Sequence, residues 1–391
     1  MRARYLTLIL LSSLLLVAQA RPPRMPSFGD PVPGLTAEQR ERFDEGKDEF
    51  EEVETVDEGL GPVFNGRSCV ECHATPATGG GGDLIETRFG RIVNGAFDAM
   101  PDFGGSLIQT TGITPADGSL YLYKGEAVPR QATIRAGRRT TSIFGLGLVD
   151  AVPDGTFHTL AAQQAASDPS TAGRPNIVTN IATGMDVVGK FGWKSQVPSL
   201  FQFSADAYLN EMGITSPQFP NENCPQGDCN ELKHNPVPGL NDTGDGVEAF
   251  ADFMTMLAAP PRGSIDNDVR AGERTFQQIG CATCHVPTLR TGQSDIASLD
   301  RVAFHPYSDF LLHDMGRLGD GITQSRAGGR DMRTAPLWGL RMVTRYLHDG
   351  RARTLQQAIT EHDGQGRKSR DAFNALSPQA KQQLVKFLGS L

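Results

Sequence analysis

Apolar residues recur at helical spacing in three places in the second half of the chain. Val247, Phe250, Met254 and Leu257 form one stripe, which Pro260, Pro261 and Gly263 terminate. Leu355, Ala358, Ile359 and His362 fall at i, i+3, i+4 and i+7. That spacing predicts a short helix with an imidazole on its apolar face, in the last turn before Gly364. Periodicity alone serves two readings of His362 equally, an inward-facing ligand or a cap for the helix carboxyl end. Near the C-terminus, Ser377 reads as an N-cap, Pro378 occupies the first turn, and Leu384, Phe387 and Leu388 share one face. The pattern is different earlier in the chain. "LIETRFGRIVNGAF", "SLIQTTG" and "QATIRAGRRTTSIFGLGLVDAVPD" mix alternation and β-branched residues with glycine turns, predicting short strands. The expected fold is mainly α and loop-rich, with short β-strands inserted in an enlarged N-terminal part.

One further apolar run, Leu6 to Val17, follows Arg2 and Arg4 and precedes Ala18-Gln19-Ala20. These are the three parts of a cleaved secretory signal peptide over residues 1–20, too short to span a bilayer. No other stretch approaches a membrane span. The mature chain is therefore expected to begin near Arg21 with a Pro/Gly-rich leader, residues 21–34, and to be soluble and periplasmic. Losing two arginines with the signal takes the net charge from −8 to −10, which argues against nucleic acid or anionic lipid as partners. Part of the acidity lies in "EGKDEFEEVETVDEG", which reads as a solvated helix face or as a docking patch for a basic partner. With 44 glycines and 25 prolines, much of the chain should be loop, as suits a protein wrapped around large cofactors.

The six cysteines sort by their neighbours. Cys69 and Cys72 precede His73 in "SCVECHATPATGGGG", and Cys281 and Cys284 precede His285 in "GCATCHVPTL". Cys-x-x-Cys can serve zinc, redox exchange or haem attachment. Two copies followed by histidine in an exported chain point to covalent haem. Each thiol adds to a vinyl group, and the adjacent imidazole is placed to meet the iron. Zinc would need four ligands gathered from scattered partners, and a redox dithiol has no use for the histidine. Cys224 and Cys229 have no adjacent histidine and read as a surface disulfide, which an oxidising compartment allows. A weak repeat, Gly-x-x-x-Phe, precedes both motifs as Gly46 and Phe50 and as Gly272 and Phe276. Each copy looks like the opening helix of a small cytochrome-c-type unit, and the seam near Ser264 divides residues 35–263 from 264–391. Gly79 to Gly82 read either as a close backbone approach to a haem edge or as a flexible loop. The second axial ligand of each iron separates an electron carrier from an enzyme. The candidates are His158, His234, His305, His313, His348 and His362, with Met315 and Met332.

The segments "GLGPVFNGRSCVECH", "FGLGLVDAVPD", "KFGWKS", "NEMGITSP", "DFLLHDMG", "RTAPLWGLR" and "YLHDGRARTLQQAI" resemble the di-haem c-type oxidoreductase family, labelled peroxidases or thiol oxidoreductases. That family is related to the bacterial di-haem cytochrome c peroxidases and to the enzyme that matures the methylamine dehydrogenase cofactor. The resemblance implies roles for particular residues. Trp193 would relay electrons between the haems, Gln202 would orient peroxide, and Glu211 would act as the acid-base group at the N-terminal haem. His362 stands where the relatives carry the distal ligand of the C-terminal haem, a methionine or a tyrosine. The expected ligands are thus His73 for one iron and His285 with His362 for the other, Met315 being the reserve. A histidine in place of methionine lowers the haem potential. Many peroxidases carry a gating histidine soon after the first motif; none occurs here between His73 and His158, so the first haem is expected to stay open. Arg88 and Arg91 read as partners for propionates or as plain surface residues. The relatives also imply a calcium ion between the haems, with no ligands identifiable in this sequence. The function implied is reduction of hydrogen peroxide or another small oxidant. Electrons would come from an unidentified donor, a small cytochrome c, a cupredoxin or a quinol-linked protein. Two other readings stand beside it, a di-haem electron carrier without catalysis and a protein-modifying di-haem oxidase.

Overall fold

The computed structural model describes residues 26–391; the expected signal peptide and the first five residues of the expected leader lie outside them. Helices carry the architecture: α1 (Ala37–Glu51), α2 (Leu146–Asp150), α3 (Asp154–Ser167), α4 (Leu200–Met212), α5 (Asp245–Met256), α6 (Asn267–Gln278), α7 (Leu355–Thr360), α8 (Arg367–Ala375) and α9 (Pro378–Leu388). Strands are short, and long stretches have neither form. Among the described residues no helix is long and apolar enough to cross a membrane.

Two helix crossings repeat. α1 begins with a capping box, in which the Thr36 hydroxyl accepts from the Gln39 amide and the Gln39 side chain accepts from the Thr36 amide. It packs on α5, and α6 packs on α9. Each crossing is close because a glycine sits at the contact. A Cβ on Gly46 would overlap the Ala249 carbonyl of α5, and one on Gly272 would overlap the Gln383 carbonyl of α9. Four residues on, the phenylalanine of each repeat meets an aromatic of the crossing helix. The centroids of Phe50 and Phe253 lie 5.0 Å apart, and those of Phe276 and Phe387 5.3 Å. Gly-x-x-x-Phe is therefore a packing signature in both copies. α9 starts as its sequence specifies, with the Ser377 hydroxyl accepting from the Ala380 amide and Pro378 in the first turn.

The strands lie largely where alternation placed them. Ile85–Val93 forms a hairpin with Ala96–Asp98 and pairs on its other side with Ile134–Arg139. Thr111–Gly112, from "SLIQTTG", pairs with Val63–Phe64. The run after Gly145 departs from expectation and coils into α2, because Leu148, Val149 and Val152 bury together in the main core at helical spacing. Two further hairpins matter for the site. Asn176–Thr179 pairs with Asp186–Gly189, and Leu312–Asp314 with Asp331–Arg333.

Residues 258–266, around the expected seam, contain no helix or strand. The cores do not divide there. Val269, Phe276, Phe373, Leu384 and Phe387 form a smaller cluster around α6 and α9. Leu289, Leu299, Phe304, Phe310 and Leu311, also beyond residue 264, belong to the larger cluster with Phe43, Phe50 and Phe253.

Candidate functional site

Each Cys-x-x-Cys-His motif occupies a 3-10 turn, Cys69–Glu71 or Cys281–Thr283. The histidine amide closes both turns, His73 on the Cys69 carbonyl and His285 on the Cys281 carbonyl, each at 3.0 Å. Both imidazoles are fixed in the same way. His73 Nδ1 donates to the Gly80 carbonyl at 3.0 Å, and His285 Nδ1 donates to the Tyr307 carbonyl at 3.0 Å. That bond orients the ring and leaves Nε2 as the free basic nitrogen, the arrangement of a metal ligand with its supporting partner. Burial favours the neutral form of both, pushing His73 down and His285 down to about 4, the latter helped by the neighbouring His362. Gly80 thus gives the glycine run a use: the chain curls back beneath its own motif, and the Gly79 amide also donates to the His73 carbonyl at 2.9 Å. Burial raises the thiols too, Cys69 far up, Cys72 to about 11 and Cys281 to about 12, so none of these three is a ready thiolate for exchange at neutral pH.

A cavity of about 670 Å³ joins the two motifs. Cys281, Cys284, His285 and His362 line one end, and His73, Ile143 and Leu146 line the other. His362 follows the end of α7, and its ring lies 6.5 Å from that of His285, centroid to centroid, tilted by 59°. Two metal–nitrogen bonds of about 2 Å and roughly 1 Å from nitrogen to centre in each ring require about 6 Å between imidazoles on opposite sides of one iron. The observed separation fits. His362 also satisfies both of its sequence readings. Nδ1 donates to the Ala358 carbonyl at 2.8 Å, capping α7, and Nε2 remains free. Met315 lies close by, its methyl and the His362 ring both against Gly366. Among the described residues, the group of His, Cys, Asp and Glu close enough to hold a metal is Cys284, Asp309 and His313, which lacks the six to eight oxygens calcium takes.

Trp193 lines the same cavity. Its indole Nε1 donates to the Arg139 carbonyl at 3.0 Å, its carbonyl accepts from the Arg333 amide at 2.9 Å, and its ring edge meets His348 with centroids 6.2 Å apart. Glu211 lies at the end of α4, outside the cavity lining. Its carboxylate accepts from Asn65 Nδ2 at 2.9 Å. Burial, reinforced by Glu86, lifts its pKa to about 7 against the pull of Asn65 and Arg88. It stands near enough to Cys72 for its charge to raise that thiol.

Gln202 does not join Glu211. Nine residues are two and a half helical turns, so the two side chains leave α4 on opposite faces. Gln202 Oε1 instead accepts from the Ile181 amide at 3.1 Å, tying α4 to the loop after Asn176–Thr179. Arg88 and Arg91 are likewise engaged, with Glu86 and with Asp98. Cationic groups on the cavity lining include two that sequence reasoning missed, Arg139 and Arg333. Arg139 Nε is buried without a partner, a donor suited to a haem carboxylate. Only the density of arginines in "GRRTT" and "RTAPLWGLR" hinted at them. Cys224 and Cys229 are bonded at 1.97 Å in a loop away from the cavity, docked through Gln226 Nε2 on the Phe103 carbonyl.

Paired helix crossings, duplicated cysteine turns and free imidazole nitrogens around one cavity define a protein fitted for haem. Residues 127–391, about two thirds of the chain, match the family described as "Di-haem oxidoreductase, putative peroxidase". The chain belongs to this family and is an oxidoreductase. The match includes the second cysteine motif and begins after the first. Among solved structures, hydrazine synthase of Kuenenia stuttgartiensis aligns over 98% of this chain and 100% of its own at 15% identity and TM-score 0.40. A MauG-like protein associated with microbial copper homeostasis aligns over 95% of each chain, at 15% and 0.40. The diheme peroxidase BthA of Burkholderia thailandensis aligns over 93% of this chain and 86% of its own, at 14% and 0.38. Curated protein sequences contain no match.

Proposed function

We propose that the chain is a periplasmic, peroxidase-like enzyme with two unlike c-type haem centres on two cytochrome-c-like units. Cys69 and Cys72 hold the first haem and Cys281 and Cys284 the second. The haems supply the redox chemistry; the chain sets their ligation, separation and proton supply. His285 and His362 would both ligate the second haem, which would supply electron entry from an external donor. His73 would ligate the first, which would supply the chemistry of peroxide reduction. Ile143 and Leu146, which line the cavity toward His73, offer no ligand atom. Trp193, held at its indole and carbonyl on the wall of the same cavity, would carry the electron path. Glu211, with a pKa near neutrality and a position by Cys72, holds and returns the proton that peroxide cleavage requires.

The observation that carries this reading is the facing pair His285 and His362 at 6.5 Å, two imidazoles at one end of a cavity whose other end offers the single imidazole of His73. The ferric electron paramagnetic resonance spectrum tests it. One low-spin and one high-spin signal are expected, and His362→Ala should convert the low-spin signal to high spin. Two low-spin signals in the ferric wild-type protein, with the first centre still low-spin after the second has been reduced, would leave only an electron carrier.

A further inference from the structure

His313 is buried, 2% exposed, and both of its ring nitrogens face acceptors. Nε2 lies 3.0 Å from Asp309 Oδ2, on a carboxylate that is itself fully buried. Nδ1 lies 3.2 Å from Gln365 Oε1 and 3.6 Å from Cys284 Sγ. The glutamine's orientation is fixed independently, because its Nε2 donates to the Ala172 carbonyl at 2.8 Å and its Oε1 accepts from the Asp314 amide at 2.9 Å. The atom facing Nδ1 is therefore an oxygen. On the other side, Gln164 Nε2 donates to Asp309 Oδ2 at 2.7 Å, and its own orientation is set by the Gly173 amide donating to Oε1 at 2.8 Å. An imidazole with an acceptor at each nitrogen needs a proton on both. The hydrogen-bond pattern thus makes His313 an imidazolium, paired with Asp309 and built in from both ends.

We propose that His313 is a positioning residue for the second haem. Its ion pair with Asp309, completed by Nδ1–H on Gln365 Oε1, holds the positive end of a fixed dipole 3.6 Å from the sulfur of Cys284, raising the potential of that centre. This rests on the reading that Cys284 carries haem. The sense of the effect follows from charge. Reduction adds an electron to the macrocycle's iron, and a cation nearby, in a site of low dielectric, favours the electron-rich state. The bis-histidine pair lowers the potential, so His313 offsets part of that fall.

The test is a potentiometric titration of the holoprotein, followed at the low-spin signal, for wild type, His313→Gln and the double variant His313→Gln/Asp309→Asn. The single variant leaves Asp309 uncompensated. At the wild-type midpoint its second haem should be about tenfold less reduced, equivalent to about 59 mV for one electron. The double variant removes both charges and should show a smaller fall in the same direction, while keeping the neutral network that permits folding. Mass spectrometry of the peptide containing Cys281 and Cys284 reports attachment in each protein. Haem attached with an unchanged potential in both variants overturns the proposal. A wild-type peptide without haem overturns instead the reading on which it rests.

Discussion

His362 divides two tasks between two nitrogens. Nδ1 closes α7 on the Ala358 carbonyl, and that bond points Nε2 at the space shared with His285. A methionine there would supply a softer ligand and no cap. His362→Met should raise the potential of the second centre and lower stability by about 1 kcal/mol for the lost hydrogen bond, checked by potentiometry and urea melts. For Glu211, the titration near pH 7 should shape the rate. In peroxide turnover Glu211→Gln should lose about 10²- to 10⁴-fold, and the limb of the pH profile near 7 should vanish. Equal rates would free Glu211 of any part in proton transfer. At this scale the sequence was legible wherever chemistry is local, as in Cys-x-x-Cys-His, where adjacency alone places the imidazole. It failed at Gln202, whose spacing from Glu211 is out of phase with the helix, and at Arg139, whose role depends on a cavity assembled from distant segments.

Among the elements, the two glycine crossings carry most of the repeat's meaning. A methyl at Gly272 would push α6 from α9 and shift Phe276, whose ring packs 6.3 Å from that of His285. Gly272→Ala should cost about 1–3 kcal/mol and perturb the second centre's spectrum, leaving the first unaltered. Gly46→Ala should do the reverse through Phe50, which lies 6.0 Å from His73. Loss of the wrong centre's signal would break the correspondence between the two halves. Helices with caps and long stripes could be read ahead of the structure because their signals lie within one segment. The coiling of α2 could not, since burial of Leu148 and Val149 among distant partners overrides a local pattern that suits a strand.

Several buried acids shape the behaviour of the whole molecule. Burial raises Glu54 and Glu211 to about 7, Glu222 to about 8 and Asp206 to about 6. Each holds its proton in the folded chain at a pH where the unfolded chain has released it. Their contribution to stability is full below about pH 4 and is lost as pH rises through 6 to 8. Urea midpoints should fall across that window. Glu54→Gln, which keeps an oxygen for the Tyr208 hydroxyl, should flatten part of the slope; an unchanged slope would show that Glu54 ionises freely. Across the cavity, Trp193→Phe should slow electron passage between the centres while leaving both haem spectra intact, measured by rapid reduction of the second centre.

At this scale a proline-rich break in sequence does not reveal which core the next apolar residues enter. Leu289, Leu299, Phe304 and Leu311 lie after the break and pack with residues before it. The two halves cannot be modular in the way tandem cytochromes are. A gene fragment encoding residues 264–391 would yield a chain with a large sticky apolar face, prone to aggregate even when supplied with haem.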